Sequence, residues 1–134
     1  MSRNLVVKPD CPCGSGGALQ ACCGQYVCGT AFAPTAEALM RSRYTAYALR
    51  NEPYLRVSWH ASTRPEPGTI DLSATTKWVG LEVTRHQSTG HDSAVVEFIA
   101  RYKLGGRAHR LHEVSRFVRE DGRWFYLDAA VPPG

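Results

Sequence analysis

Cysteines close to the start of the chain offer the strongest chemistry in this sequence. Cys11 and Cys13 form one close pair, and Cys22 and Cys23 form a second pair after a gap of eight residues. Zn²⁺ prefers four soft ligands in a tetrahedron, and a thiolate pair on each arm of a turn supplies them. The spacing therefore predicts that these four residues bind zinc, with a disulfide pair or a set of free thiols as the alternative.

The residues between the two pairs suit a tight turn around a metal ion. Gly14, Gly16 and Gly17 tolerate positive φ, so the chain can turn and bring backbone amides towards metal-bound sulfurs. A polar segment of about thirty residues cannot fold alone, and metal binding would supply its folding free energy. The fifth cysteine, Cys28, is expected to be a small buried residue, with a substitute metal ligand or a reactive thiol as alternatives.

Length and composition indicate a small folded protein. The 134 residues fit one domain, or a short module attached to a slightly small domain. The formal net charge is +4, but the basic residues form no dense run, which does not favour a nucleic acid as the main partner. The first apolar stretch is too short for a signal peptide and nothing approaches a membrane span. We therefore expect a cytoplasmic protein whose thiols stay reduced.

Helices are expected in the part of the chain that follows the cysteines. After a linker at 29–34, Thr35 is a suitable N-cap for a helix over 36–50. The buried stripe of this helix is expected to be Ala36, Met40, Tyr44 and Tyr47, whereas Arg41 and Arg50 should be solvated. Residues 51–53 should end the helix, and a second short helix over 54–60, a loop at 64–68 and a helical turn at 72–76 should follow.

From Lys77 onward the hydrophobic period changes to two, which is typical of strands. We expect four antiparallel strands at 78–87, 93–104, 109–119 and 123–130, joined by short hairpin turns. Helices followed by consecutive antiparallel strands indicate an α+β fold. The sheet should curl around the long helix, because no other element can cover its apolar face.

The cysteine residues carry a first family resemblance. The run Cys-Pro-Cys-Gly-Ser-Gly at 11–16, followed by Cys22-Cys23, resembles the SEC-C motif, the zinc knuckle at the C-terminus of the SecA translocation ATPase. In that motif the fourth ligand is a His or a Cys, which corresponds to Cys23 here. The resemblance implies a structural zinc and a role in contacting other proteins or ribosomes.

A second resemblance covers nearly the whole chain. The part after the cysteines resembles the NTF2-like (cystatin-like) fold, a cone of helices on a curved four-stranded antiparallel sheet. More narrowly, the chain resembles the YchJ family, also called UPF0225, through the cysteines and the segments 39–47, 54–60, 78–81, 112–117 and 122–128. The resemblance implies a zinc knuckle at 1–30, an NTF2-like domain at 31–134 and no settled activity, with a homodimer as a family-level expectation.

Strand alternation places one carboxylate on the expected core face of the sheet. In the third strand Glu113 shares a face with Leu111, Ser115 and Phe117, and burying it unpaired would be costly. We therefore expect a structural ion pair with an arginine of the long helix, and prefer Arg43 to Arg41.

The alternative for this carboxylate is a ligand pocket or a catalytic site. In the fourth strand, Tyr126 and Asp128 share a face with Trp124. Enzymes that share the NTF2-like fold place their pocket on the concave face of the sheet. The candidate pocket residues are accordingly Arg43, Glu113, Ser115, Tyr126 and Asp128.

These features favour a non-enzymatic zinc-binding protein whose knuckle contacts a protein or ribonucleoprotein partner. The alternatives are a small-molecule-binding protein or enzyme that uses the NTF2-like cavity, and a metal-handling protein helped by Cys28. An apolar cavity that holds Glu113 without a cationic partner would favour small-molecule binding, whereas a cavity filled by Trp and Tyr would favour the first hypothesis. We assign no catalytic residue, because the sequence has no Ser-His-Asp order or phosphate loop, and His60 and His112 are expected to be structural.

Overall fold

The computed structural model describes residues 10–130. Residues 1–9 and 131–134, the outer ends of the two expected modules, lie outside the described residues. The expectation about a signal peptide concerns residues 1–9 and is therefore not addressed. Helices precede strands, which confirms the expected α+β order. The elements in chain order are a 3₁₀ turn (Leu19–Ala21), α1 (Gly24–Val27), α2 (Ala36–Ala48), α3 (Glu52–Val57), β1 (Thr76–Gly90), β2 (Ser93–Leu104), β3 (Arg107–Glu120) and β4 (Arg123–Ala130).

Side-chain caps fix where α2 and α3 begin. Thr35 Oγ1 accepts a hydrogen bond from the Ala38 amide at 3.0 Å, as expected for the N-cap of α2. Asn51 does more than follow the end of α2, because its side chain accepts from the Tyr54 amide at 3.1 Å and caps α3. Pro53 then lies in the first turn of α3, where its missing N–H costs nothing.

The expected short helices therefore need two corrections. α3 spans Glu52–Val57 rather than 54–60, since the Asn51 cap starts it two residues earlier. The expected helical turn at 72–76 is not a helix, because β1 already begins at Thr76. Within the described residues, no helix is long and apolar enough to cross a bilayer.

The four strands form one antiparallel sheet in the order β1-β2-β3-β4. The bounds of β2 and β4 match the expected ones. β1 begins two residues earlier and ends three residues later than expected, and β3 begins two residues earlier and ends one residue later. β1 shifts its register against β2 at three places, and β3 shifts once against β4. Such bulges bend a strand and increase its twist, which curls this sheet around α2.

α2 is covered on two sides, which the amphipathic stripe did not predict. One side, with Met40 and Tyr44, packs on the inner face of the sheet, where Val96, Phe98 and Ala100 are buried. The opposite side meets residues 10–28, which we call the cysteine segment. Eight of the thirteen residues of α2 are consequently buried.

Two contacts join α2 to the cysteine segment. Thr45 Oγ1 lies 3.6 Å from Cys11 Sγ, and Arg41 Nη1 donates to the Cys13 carbonyl at 2.9 Å. The expectation that Arg41 is solvated is therefore wrong, because the cysteine segment covers that face of the helix. The expected module boundary between residues 30 and 31 stays a prediction, although both sides of it contribute to one apolar core.

Candidate metal centre and inner cavity

The four cysteines of the two pairs converge on one point. The Sγ atoms of Cys11, Cys13, Cys22 and Cys23 all lie within 4.8 Å of one another. The separation is 3.6 Å from Cys13 to Cys22 and 3.9 Å from Cys22 to Cys23. A tetrahedral site with Zn–S bonds of about 2.3 Å has sulfur atoms about 3.8 Å apart. The four side chains therefore fit a tetrahedral metal ion.

The backbone of the cysteine segment turns as the glycines predict. Gly14 and Gly16 have φ of 80° and 86°, values that residues with a Cβ rarely adopt. Gly17 is not in this left-handed region, but its carbonyl accepts from the Cys11 amide at 2.9 Å and closes the loop. The second pair of ligands lies between the 3₁₀ turn and α1, so both arms of the site have a fixed backbone.

Hydroxyl groups and neighbouring thiols set the electrostatics of this site. Ser15 Oγ lies 3.2 Å from Cys22 Sγ on the solvent side, and Thr45 contacts Cys11 on the buried side. Hydrogen bonds, chiefly from Cys23, lower the pKa of the Cys13 thiol to about 4, although burial opposes this. The same contact with Cys13, together with burial, raises the pKa of Cys23. The negative charge of the Cys13 thiolate thus opposes ionisation of the neighbouring thiols. A divalent cation bound among them would offset this charge and favour four thiolates.

Cys28 lies outside this cluster. Its side chain is exposed, and its Sγ lies 3.4 Å from Thr30 Oγ1. The hydrogen bond with Thr30 lowers the pKa of the Cys28 thiol. The expectation of a small buried residue is wrong, because α1 ends at Val27 and Cys28 follows it at the surface.

A second candidate site lies between α2 and the inner face of the sheet. It is a cavity of about 290 Å³, which we call the inner cavity. Arg43, Glu113 and Ser115 are among its polar lining residues. Its aromatic walls are Tyr44, Tyr47, Trp78, Phe98, Phe117 and Tyr126.

Arg43 is held by groups other than Glu113. Its Nη1 donates to the Leu55 carbonyl at 2.8 Å and to Ser58 Oγ at 2.7 Å, both near the end of α3. Its guanidinium carbon lies 4.3 Å from the ring centre of Tyr126 and 4.9 Å from that of Trp59. Burial lowers the pKa of Arg43 to about 10, so the side chain remains cationic at neutral pH.

The expected ion pair between Arg43 and Glu113 is therefore wrong. Glu113 is half-buried on the inner face, opposite Phe98 of β2. Within residues 10–130 its carboxyl group has no ion-pair or hydrogen-bond partner, and burial alone raises its pKa. Tyr126 lies near both Arg43 and Glu113. The pKa of Tyr126 is raised to about 12, chiefly by burial, with a lowering effect of Arg43 and a raising effect of Glu113.

Asp128 does not line the inner cavity, although it was a candidate pocket residue. Phe117 pairs with Tyr126 and Arg116 pairs with Asp128, so Leu127 is an extra residue in β4. This bulge turns Asp128 to the outer face, where Arg116 Nε donates to its Oδ1 at 2.6 Å. The Arg116 guanidinium accordingly lowers the pKa of Asp128.

His60 and His112, the two histidines considered in the sequence analysis, have hydrogen-bond partners away from the inner cavity. His112 Nε2 lies 2.7 Å from Glu97 Oε2 on the outer face of the sheet. His60 bonds Ser62 through Nδ1 and Glu120 through Nε2, both at 2.7 Å. These contacts agree with the structural roles expected for both residues.

Thr45 and Trp78 are among the residues that sequence reasoning did not assign to the sites they contact. Thr45 lies against Cys11, and Trp78 forms one wall of the inner cavity. The alternation of β1 could have placed Trp78 on the inner face, but the register shift between Trp78 and Gly80 interrupts that alternation. No sequence signal marks Thr45, since a hydroxyl on a helix is ordinarily solvated.

Comparisons with known proteins agree over nearly the whole chain. A family model described as "YchJ, middle NTF2-like domain" matches residues 35–129. A UPF0225 protein of Chromobacterium violaceum is 58% identical over 135 residues, which covers 98% of this chain and 99% of that relative.

Two solved structures are also similar. The solution structure of a SEC-C motif containing protein from Rhodopseudomonas palustris has a TM-score of 0.80 at 33% identity, over 92% of this chain and 98% of that one. The crystal structure of a SEC-C motif containing protein from Psychrobacter arcticus has a TM-score of 0.74 at 29% identity, over 92% and 83% of the two chains. Together with the cysteine cluster and the curled sheet, these matches show that the chain belongs to the UPF0225 (YchJ) family, whose NTF2-like domain here follows a SEC-C type cysteine motif.

Proposed function

We propose that this chain is a zinc-dependent binding protein rather than an enzyme. The observation that carries the proposal is the convergence of four sulfur atoms within 4.8 Å, at separations that suit tetrahedral Zn²⁺. Zinc would fix the cysteine segment on α2 and so complete the scaffold. We also propose a cytoplasmic location, because a reducing compartment keeps all four thiols available.

The zinc in this proposal is structural. Four cysteine ligands fill a tetrahedral ion and leave no open position for water or substrate. Cys11, Cys13 and Cys23 are buried, so a metal ion would be shielded on most sides. A zinc ion with four thiolates carries net negative charge, which the Arg41 guanidinium at the Cys13 carbonyl would partly offset.

Metal analysis tests this site directly. Protein made with zinc present should contain about one zinc ion per chain, and Cys22→Ser should lose most of it. Cys28→Ser is the matched control, because Cys28 lies outside the cluster and its loss should leave the zinc content unchanged. Less than about half an equivalent in the wild-type protein, or equal loss in both variants, would count against the proposal.

The knuckle is proposed to contact a protein or ribonucleoprotein partner. Two supports are the SEC-C motif and the exposed loop of residues 14–17, which stands out from the buried ligands. A pull-down with the intact chain should recover a partner that a version with all four ligands changed to serine does not. Recovery of the same partner by both would place the contact elsewhere. The homodimer expected from the family stays a prediction.

Small-molecule binding in the inner cavity is a second candidate function. The observation that favours it is Glu113, which faces the cavity with no cationic partner among the described residues. An unpaired carboxylate contributes nothing to stability, so its presence needs another reason. Native mass spectrometry of the purified protein should reveal a co-purifying small molecule. Glu113→Gln removes the carboxylate and Ala100→Leu fills the cavity. A molecule that remains bound in both variants would argue against this site.

A further inference from the structure

The inner cavity combines six aromatic rings with a carboxylate that has no partner within residues 10–130. Six rings from α2 and all four strands form its walls, among them Tyr44, Tyr47 and Trp78. The ring pairs are tilted or edge-on, with Tyr44 and Trp78 at 75° and Tyr47 and Trp78 at 54°. Rings at such angles are not stacked face to face, and the face of an aromatic ring carries negative potential.

The two charged side chains of the cavity, Arg43 and Glu113, differ in whether protein groups already bind them. Arg43 already donates through Nη1 to the Leu55 carbonyl and to Ser58 Oγ, and its guanidinium lies over the Trp59 and Tyr126 rings, so protein groups already contact this cation. The Glu113 carboxylate has no such partner among residues 10–130. Of the two charged groups, Glu113 is the one for which a bound molecule could supply the first partner.

We propose that the inner cavity binds a small organic cation, an amine or quaternary ammonium group on a compact apolar frame. The ammonium group would lie between the Glu113 carboxylate and the aromatic faces, an environment that attracts cations through both charge and the ring quadrupoles. The volume of about 290 Å³ lies near the lower limit of small-molecule sites and restricts the ligand to a compact molecule. This inference rests on the second candidate function and names its ligand class.

Three probes of matched shape and different charge test the proposal. Choline is the cation, 3,3-dimethylbutan-1-ol is its neutral isostere, and 3,3-dimethylbutanoate is the anion. Calorimetric titration of the zinc-loaded full chain should show choline binding at least about tenfold more tightly than the alcohol. Glu113→Gln should reduce that preference to the smaller part that the ring faces supply, while leaving affinity for the alcohol unchanged. Glu82→Gln is the matched control, because Glu82 is an exposed carboxylate facing Arg101 rather than the cavity.

Each other result overturns the proposal in a distinct way. Equal affinity for choline and the alcohol would mean that the cavity binds by shape alone. Tightest binding of the anion would assign the site to Arg43. Absence of binding by all three at about 10 mM would exclude compact organic cations, whereas the co-purification experiment would still decide whether the cavity binds any small molecule. A melting curve for each variant shows that it is folded.

Discussion

Replacing Arg41 tests whether the cysteine segment and the sheet domain unfold together. Arg41 donates to the Cys13 carbonyl at 2.9 Å and to Glu37 at 3.0 Å, and Arg41→Met removes both bonds but keeps the apolar stem. A hydrogen bond from a charged donor contributes about 1.5–3 kcal/mol, and an i,i+4 ion pair on a helix adds about 0.3–0.5 kcal/mol. We therefore expect the free energy of unfolding to fall by about 2–3 kcal/mol.

Calorimetry on the zinc-loaded protein would measure this loss. For 134 residues, an unfolding entropy of about 2.1 cal/mol/K per residue converts the loss into a fall in Tm of about 7–11 °C. Arg50→Met is the matched control, because Arg50 is exposed just after α2 and, among residues 10–130, its side chain donates to the Ala74 carbonyl alone. Its Tm should stay within about 2 °C of the wild-type value.

Two results would refute the shared-core reasoning. One is a melt of Arg41→Met that resembles that of Arg50→Met. The other is a melt that separates into two transitions, with the transition of the sheet domain unchanged. The second result would mean that the cysteine segment and the sheet domain unfold independently, as the boundary expected between residues 30 and 31 implies.

Other perturbations probe the charged groups of the inner cavity and the metal site. Because burial raises the pKa of Glu113, its ionisation destabilises the folded chain, so Glu113→Gln should be the more stable protein at pH 7. Urea denaturation should show that this difference disappears below about pH 4, where the carboxyl is protonated in both states. Arg43→Met should lose about 1–3 kcal/mol, since the Leu55 carbonyl loses a charged donor, and an unchanged urea midpoint would contradict this role. Chelation of the metal should lower Tm and added zinc should restore it, equally in wild type and Cys28→Ser.

Local patterns in the sequence were enough to predict most of the fold. Period-two alternation and glycine-containing turns gave the bounds of β2 and β4, and Thr35 gave the start of α2. These features depend on neighbours in the chain, so one sequence contains the information that determines them. The cysteine spacing similarly predicted the convergence of the four sulfurs, since each pair lies on one arm of a short turn.

The features that sequence reasoning missed depend on contacts between distant segments. Arg43 binds the Leu55 carbonyl because α3 packs beside α2. No spacing in the sequence indicates that Arg43 would bind this carbonyl instead of Glu113. Asp128 leaves the cavity because Leu127 forms a bulge, which strict alternation cannot anticipate. Arg41 is covered because a second layer packs on α2, whereas helical periodicity identifies only the more apolar face.

The sequential order of the sheet has a consequence for how the chain folds. Every strand pairs with its neighbour in the sequence through a two-residue turn, so the sheet can assemble from local hairpins with little loss of chain entropy. One distant closure joins the end of α3 to β4, where the Tyr126 amide donates to the Ser58 carbonyl at 2.8 Å. We expect this closure, rather than strand pairing, to limit the folding rate. Tyr126→Phe keeps the backbone amide and should therefore change the folding and unfolding rates little. Substitutions in α3 should act mainly on the folding rate.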